Sequence, residues 1–141
     1  MNSSLRRNRG VTLVELLIVM VIVGILTAIA YPSYQRYTTR TYRAAARACL
    51  TETAQYMERY YTSNMTYVGA EGALTLGCMS ESGLDTKYTF AATPAPTQRT
   101  FTIAATPIGV QLTRDTECGT LTLDEVGTRT KSGSGTLAKC W

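Results

Sequence analysis

The residue with the most chemical consequence is Glu15. From Val11 to Tyr31 the chain runs through 21 residues, and Glu15 is the one charged side chain among them. A carboxylate buried in an apolar span costs several kcal/mol unless something pairs with it, so such a residue points to function. The plainer reading is placement in a first helical turn, where the helix dipole favours negative charge. The bond between Gly10 and Val11 bears on both readings. Scission there creates an ammonium group four residues before Glu15, at the i,i+4 spacing of a helix. That amine can then meet the carboxylate of its own chain or of a neighbour.

The other reactive side chains narrow the chemistry further. There are four cysteines, Cys49, Cys78, Cys118 and Cys140, and no histidine. No two cysteines form a CxxC pair, so neither a zinc centre nor a Cys–His nucleophile is expected. An even cysteine count in a small domain beyond an apolar segment fits two disulfides. Three pairings are possible, and the sequential one, Cys49–Cys78 with Cys118–Cys140, is the expectation. Asp124 and Glu125 are adjacent, so on a strand they would face opposite ways; they fit a turn better. Ser132 and Ser134 lie in a Gly/Ser run with no base nearby. Catalytic residues, metal ligands and cofactors are therefore not expected.

The charge pattern needs dividing before it is read. The chain has 141 residues, 14 basic and 10 acidic, for a net charge of +4. Arg6, Arg7 and Arg9 precede the apolar run; removing those three from fourteen leaves eleven basic against ten acidic residues. The basic excess is thus mostly a flank of the span. Positive flanks stay cytoplasmic, which places the cysteines on the oxidising side. Arg36, Arg40, Arg43 and Arg47 recur at three- and four-residue steps, interleaved with Tyr34, Tyr37 and Tyr42. Such a stripe can contact phosphate. A solvated face or headgroup contact just outside a span explains it as well, and nucleic acid is not the expected partner.

These residues must be positioned by a few elements. The apolar core is about 20 residues, enough for a bilayer at ~1.5 Å per residue and longer than the roughly 7–15 of a secretory signal. Ala28-Ile29-Ala30 offers a signal-peptidase site, but the chain beyond it continues as helix. Pro32 kinks without necessarily ending that helix. Beyond it Ala46, Cys49, Leu50, Thr53, Met57, Tyr60 and Tyr61 share one face. Arg43, Arg47, Glu52, Gln55, Glu58 and Arg59 fall mostly elsewhere. One helix is predicted over Val11–Tyr61, apolar all round at first and amphipathic afterwards. Residues 63–87 read as an irregular connection. "KYTFAA", "TFTIAAT" and "GTLTL" alternate as three strands, with Pro94 and Pro96 in the turn between the first two. They imply a small antiparallel sheet with one buried face, covered by the amphipathic half of the helix. The tail "VGTRTKSGSGTLAKCW" would be floppy without a Cys118–Cys140 closure.

The stretch "RGVTLVELLIVMVIVGILTAIAYPSYQ" resembles the N-terminal signature of type IV pilins and the related pseudopilins. The resemblance implies a class-III leader, residues 1–10, cut by prepilin peptidase between Gly10 and Val11, with N-methylation at Val11. It implies an assembly role for Glu15 through the amine of an adjacent subunit. It also matches Gly24 and Pro32 to the positions between which such helices loosen in the filament. The family usually has Phe where this chain has Val11. Further on, Cys118, Gly119, Leu121, Leu123, Gly127, Arg129, Cys140 and Trp141 resemble the end of PilE-type minor pilins. The implied fold is α+β: residues 11–32 a transmembrane and assembly helix, and 33–141 a globular pilin head, with helix over 33–62 and sheet and loops over 63–141. The C-terminal loop is closed by a disulfide. The implied function is a structural, minor subunit of a type IV pilus, inserted in the fibre or its initiation complex and supporting pilus biogenesis, twitching motility and adhesion. Its implied partners are other pilin and minor-pilin subunits, prepilin peptidase, the inner-membrane assembly machinery and, before assembly, membrane lipid. A pseudopilin of a type II secretion system is the alternative, and a DNA-binding competence pilin a second one.

Overall fold

The computed structural model describes residues 10–141, apart from the side chains of residues 71–73; Arg6, Arg7 and Arg9 lie outside the described residues. The long helix α1 spans Leu13–Asn64, with Pro32 inside it. Proline has no N–H, so the carbonyl of Ala28 goes without its helical partner there. The helix runs three residues past the predicted Tyr61 and ends at Met65, whose φ of 56° is left-handed. The Met65 N–H bonds back to the Tyr61 carbonyl at 2.7 Å, the standard way to close a helix C-terminus. The described residues divide into two compact units, a first that ends at Gln35 and a second over Arg36–Trp141, and α1 contributes to both.

In the second unit a four-stranded sheet has the order β1-β2-β3-β4, every pair antiparallel. The strands are β1 Tyr88–Ala92, β2 Thr102–Pro107, β3 Leu121–Asp124 and β4 Arg129–Lys131. Short helices α2, Gly109–Arg114, and α3, Leu137–Cys140, follow β2 and β4. The register aligns the apolar positions: Tyr88 faces Pro107, Ile103 faces Leu123, and Ala105 faces Leu121. Strand side chains alternate between faces, so this register puts all of them on one side. That side forms a single core with Ala46, Cys49, Leu50 and Met57 of α1. Tyr60 and Tyr61 pack at the core's edge, half-buried.

Two sequence expectations change. Residues 63–87 contain three 3-10 segments, Ala70–Thr75, Gly77–Met79 and Glu81–Thr86, that bury Met79 and Leu84. Their lack of α or β periodicity hid them. The tail holds a fourth strand, and its Gly/Ser run is ordered by backbone bonds to the segment 116–120. Ser132, Gly133, Ser134 and Gly135 donate their N–H groups to the carbonyls of Thr120, Cys118, Thr116 and Glu117. Glycine is needed for that approach, since a Cβ on Gly133 would lie 2.4 Å from the Glu117 carbonyl oxygen. What reads as a linker composition is a close backbone packing requirement.

Candidate functional site

In the first unit, Gly10 and Val11 are exposed and precede the helix. Thr12 sits at its N-cap: the Glu15 N–H donates to Thr12 Oγ1 at 3.2 Å, and the Leu16 N–H to the Thr12 carbonyl at 3.2 Å. Thr12 and Glu15 have the T-x-x-E spacing of a capping box, and the structure shows its backbone half, the Glu15 N–H on the Thr12 hydroxyl. Glu15 is thus a first-turn carboxylate at the positive end of a helix dipole. The remaining surface is apolar on every side. From Val11 to Ile29 the large apolar side chains are all half or more exposed, from 50 % for Val19 to 79 % for Leu13. This is the one described helix long and apolar enough to cross a membrane. A Cβ built on Gly24 would meet nothing within 4 Å, so no contact among the described residues requires glycine there.

In the second unit, a buried polar cluster holds α1 to the rest of the head. Arg43 donates to Asp115 through Nε, 3.0 Å to Oδ2, and Nη2, 2.6 Å to Oδ1, and through Nη1 to the Lys139 carbonyl at 3.3 Å. The Tyr88 hydroxyl donates to Asp115 Oδ2 at 2.8 Å. Gln111 of α2 donates to Asp115 Oδ2, to the Tyr88 oxygen and to the Thr39 carbonyl, at 3.3, 3.0 and 3.1 Å. Burial pushes the Tyr88 hydroxyl well above its ordinary range, opposed in part by the Gln111 hydrogen bond. Arg43 therefore leaves the basic stripe expected from the sequence. Its charge is consumed inside by a partner 72 residues away, a pairing no local pattern announces. Asp115 and Gln111 were invisible for the same reason.

The disulfides join Cys49 to Cys78 and Cys118 to Cys140, with Cα separations of 5.6 and 5.4 Å, the sequential pairing. The second anchors α3, where the Trp141 indole N–H donates to the Thr130 carbonyl at 2.8 Å and the ring lies 5.3 Å from the Arg129 guanidinium. Lys139 on α3 pairs with Glu117 at 2.6 Å. That hydrogen bond, with the charges of Arg43 and Arg40 behind it, holds Glu117 below the usual carboxylate range. Asp124 closes the β3–β4 turn by accepting from the N–H groups of Val126 and Thr128, and Glu125 accepts from the Phe101 N–H.

A capped helix whose first half is apolar but for one carboxylate, and a disulfide-closed head of helix on antiparallel sheet, define the pilin class of protein. A family profile described as "Type IV minor pilin ComP, DNA uptake sequence receptor" matches residues 32–122, and one described as a prokaryotic N-terminal methylation motif matches residues 5–31. The chain belongs to the type IV pilin family. A fimbrial protein of Pseudomonas aeruginosa is 57% identical over 37 residues, 26% of this chain and 24% of that protein. The type IV major pilin protein PilE of Neisseria gonorrhoeae is 35% identical over 80 residues, 57% of this chain and 47% of PilE. The chain thus spans less than half the length of these curated relatives. A solved type IV pilin from Shewanella oneidensis superposes with a TM-score of 0.51 at 27% identity, covering 73% of this chain and 97% of that one.

Proposed function

We propose that this chain is a minor subunit of a type IV pilus, cut between Gly10 and Val11 and assembled through the helix from Val11 to Tyr31. It waits in the inner membrane with Arg6, Arg7 and Arg9 on the cytoplasmic side, then enters the fibre or its initiation complex. The observation that carries this is the unbroken exposure of apolar side chains around the helix, with one carboxylate in its first turn. Each fully buried Val, Leu or Ile contributes roughly 1.5–3 kcal/mol, so such a surface must meet lipid or other helices. Glu15 pairs with the amine at Val11 of the same or an adjacent subunit, linking register to charge.

Mass spectrometry of sheared pili tests this. The subunit's N-terminal peptide is expected to begin at a methylated Val11. Glu15→Ala is expected to lower its recovery in pili, with Glu15→Asp intermediate. Recovery of Glu15→Ala at the wild-type level, with normal pilus number, sinks the pairing. Deletion that removes surface pili and twitching while sparing protein secretion separates this reading from a pseudopilin.

A second reading, capture of DNA, is favoured by the matching family's description. Gel shift of the chain in detergent across a salt series tests it, because phosphate contacts release counterions and must weaken with salt. No salt-dependent retention ends that reading.

A further inference from the structure

We propose that the head carries a pocket for a phosphate monoester group, formed by Arg40 and Arg47 of α1 and Lys139 of α3. It rests on neither reading of the pilus role. The pocket is a cavity of about 360 Å3 lined by Arg40, Arg43, Arg47 and Lys139, with no carboxylate in its wall. That volume lies in the range of small-ligand sites, roughly 300–1,000 Å3.

The charge count argues for a dianion. Four cations meet two carboxylates at this place. Asp115 takes up Arg43 and Glu117 takes up Lys139. Arg40 and Arg47 form no ion pair of their own among the described residues, and Arg40 only adds to the field on a Glu117 that Lys139 already holds, so the cluster keeps two positive charges in excess. Placing like charges around one cavity is unfavourable unless an anion joins them. A phosphate monoester carries close to two negative charges above its second pKa of about 6, and presents three oxygens to several donors at once.

Arg47 also separates this pocket from a plain solvated helix face. Its Nε is shielded from solvent and has no hydrogen-bond partner among the described residues. The side chain is half-buried and also walls a second cavity of about 300 Å3, beside Ala44, Thr51, Arg129 and Trp141. Part of the side chain is therefore packed before any ligand arrives, and the guanidinium meets a ligand through its Nη groups, with less rotamer freedom to lose than a fully solvated arginine. Arg43, locked on Asp115, gives the cavity a rigid floor.

The test is NMR of the arginine Nε–Hε signals of the full chain in maltoside micelles, which contain no phosphate. The Arg47 signal is expected to move on titration with inorganic phosphate at pH 7.5, and not with sodium chloride at matched ionic strength. Dimethyl phosphate, a monoanionic diester, is expected to need about tenfold more, because one charge is missing. Arg47→Lys keeps the charge without the fork and is expected to weaken binding about tenfold. Glu117→Gln frees Lys139 and is expected to tighten binding several-fold, a gain that loss of folding does not produce. No movement of Arg47 with phosphate overturns the pocket. Equal response to phosphate and its dimethyl diester overturns the monoester assignment, as does a response to duplex DNA with none to phosphate.

Discussion

The Arg43–Asp115 pair offers the sharpest test of how the head is held together. Asp115 is 1 % exposed and Arg43 7 %. The carboxylate accepts four hydrogen bonds, two from Arg43, one from Tyr88 and one from Gln111. Asp115→Asn keeps the shape, yet it turns one acceptor oxygen into a donor amide facing donors. It also leaves the Arg43 charge buried without a counter-charge, with only the Lys139 carbonyl still accepting from it. Removing one member of a buried pair costs about 3–5 kcal/mol, against a total domain stability of roughly 5–15 kcal/mol. The sole tryptophan, Trp141, reports on the same corner of the head, so its fluorescence through a urea titration with disulfides intact measures the loss. At about 4–8 °C per kcal/mol for a domain near this size, the melting point is expected to fall by at least ~12 °C. The double replacement Arg43→Met with Asp115→Leu removes both charges together and is expected to recover part of the loss, the remainder reflecting the Tyr88 hydroxyl and Lys139 carbonyl that lose a partner. Tyr88 and Gln111 then still bond each other, and Gln111 still reaches the Thr39 carbonyl. A loss below ~1 kcal/mol for Asp115→Asn, or a double variant that simply sums the single losses, refutes the reasoning.

Other predictions rest on separate features. Tyr67 donates to Glu58 at 2.9 Å, and its hydroxyl is pushed up to about 12, first by burial and then by that carboxylate. The unfolded chain releases this proton near 10, so stability is complete below pH ~10 and drains away between pH ~10 and ~12; Tyr67→Phe is expected to flatten that slope in denaturation series. Met65 is exposed and left-handed, so Met65→Gly is expected to gain about 0.5–1 kcal/mol in the same assay. Gly133→Ala drives a Cβ into the Glu117 backbone and is expected to cost more than ~1 kcal/mol, whereas an unchanged melting point would contradict the packing at the end of the head. Removing the Cys118–Cys140 bond, which closes a loop of sequence separation 22, is expected to cost about 3 kcal/mol and to red-shift Trp141 emission.

How much of this was legible depended on distance along the chain. The helix, the three alternating strands and the buried stripe through Ala46, Cys49, Leu50, Thr53 and Met57 follow from local periodicity, and each stands in the structure. Strand β4 was hidden because Thr-Arg-Thr-Lys alternates without an apolar face; it is an edge strand, with no core side to bury. Arg43 was misplaced because helical spacing sorts residues by angle, and the angle it shares with Ala46 and Leu50 is interior. Charge alone argued for the surface. Only Asp115 reverses that argument, and it belongs to a loop with no pattern of its own.

Glu15 is where local and collective explanations have to be separated. The helix dipole explains why a carboxylate is tolerable in the first turn of α1, and the Thr12 hydroxyl caps the Glu15 backbone N–H; both act within a single chain. Neither explains why the next sixteen residues, Leu16–Tyr31, carry no charge at all. On the proposed reading, α1 exchanges lipid for other helices during assembly. Those two surroundings are about equally apolar, so the exchange gains little from hydrophobicity. Selection of one register must then come from packing and from the few polar groups available. Gly24 and Glu15 divide those roles. Gly24→Ala raises helix propensity by about 1 kcal/mol in the isolated chain and meets nothing among the described residues, so a pilus defect in that variant comes from helix packing between chains or from a helix too stiff to loosen, not from a clash within the chain. Glu15→Gln keeps a helix-compatible side chain, with the same reach, while removing the charge. If capping were its whole purpose, Glu15→Gln would assemble as well as wild type, because Gln also fits the capping box. If pairing with a neighbouring amine sets register, it assembles as poorly as Glu15→Ala.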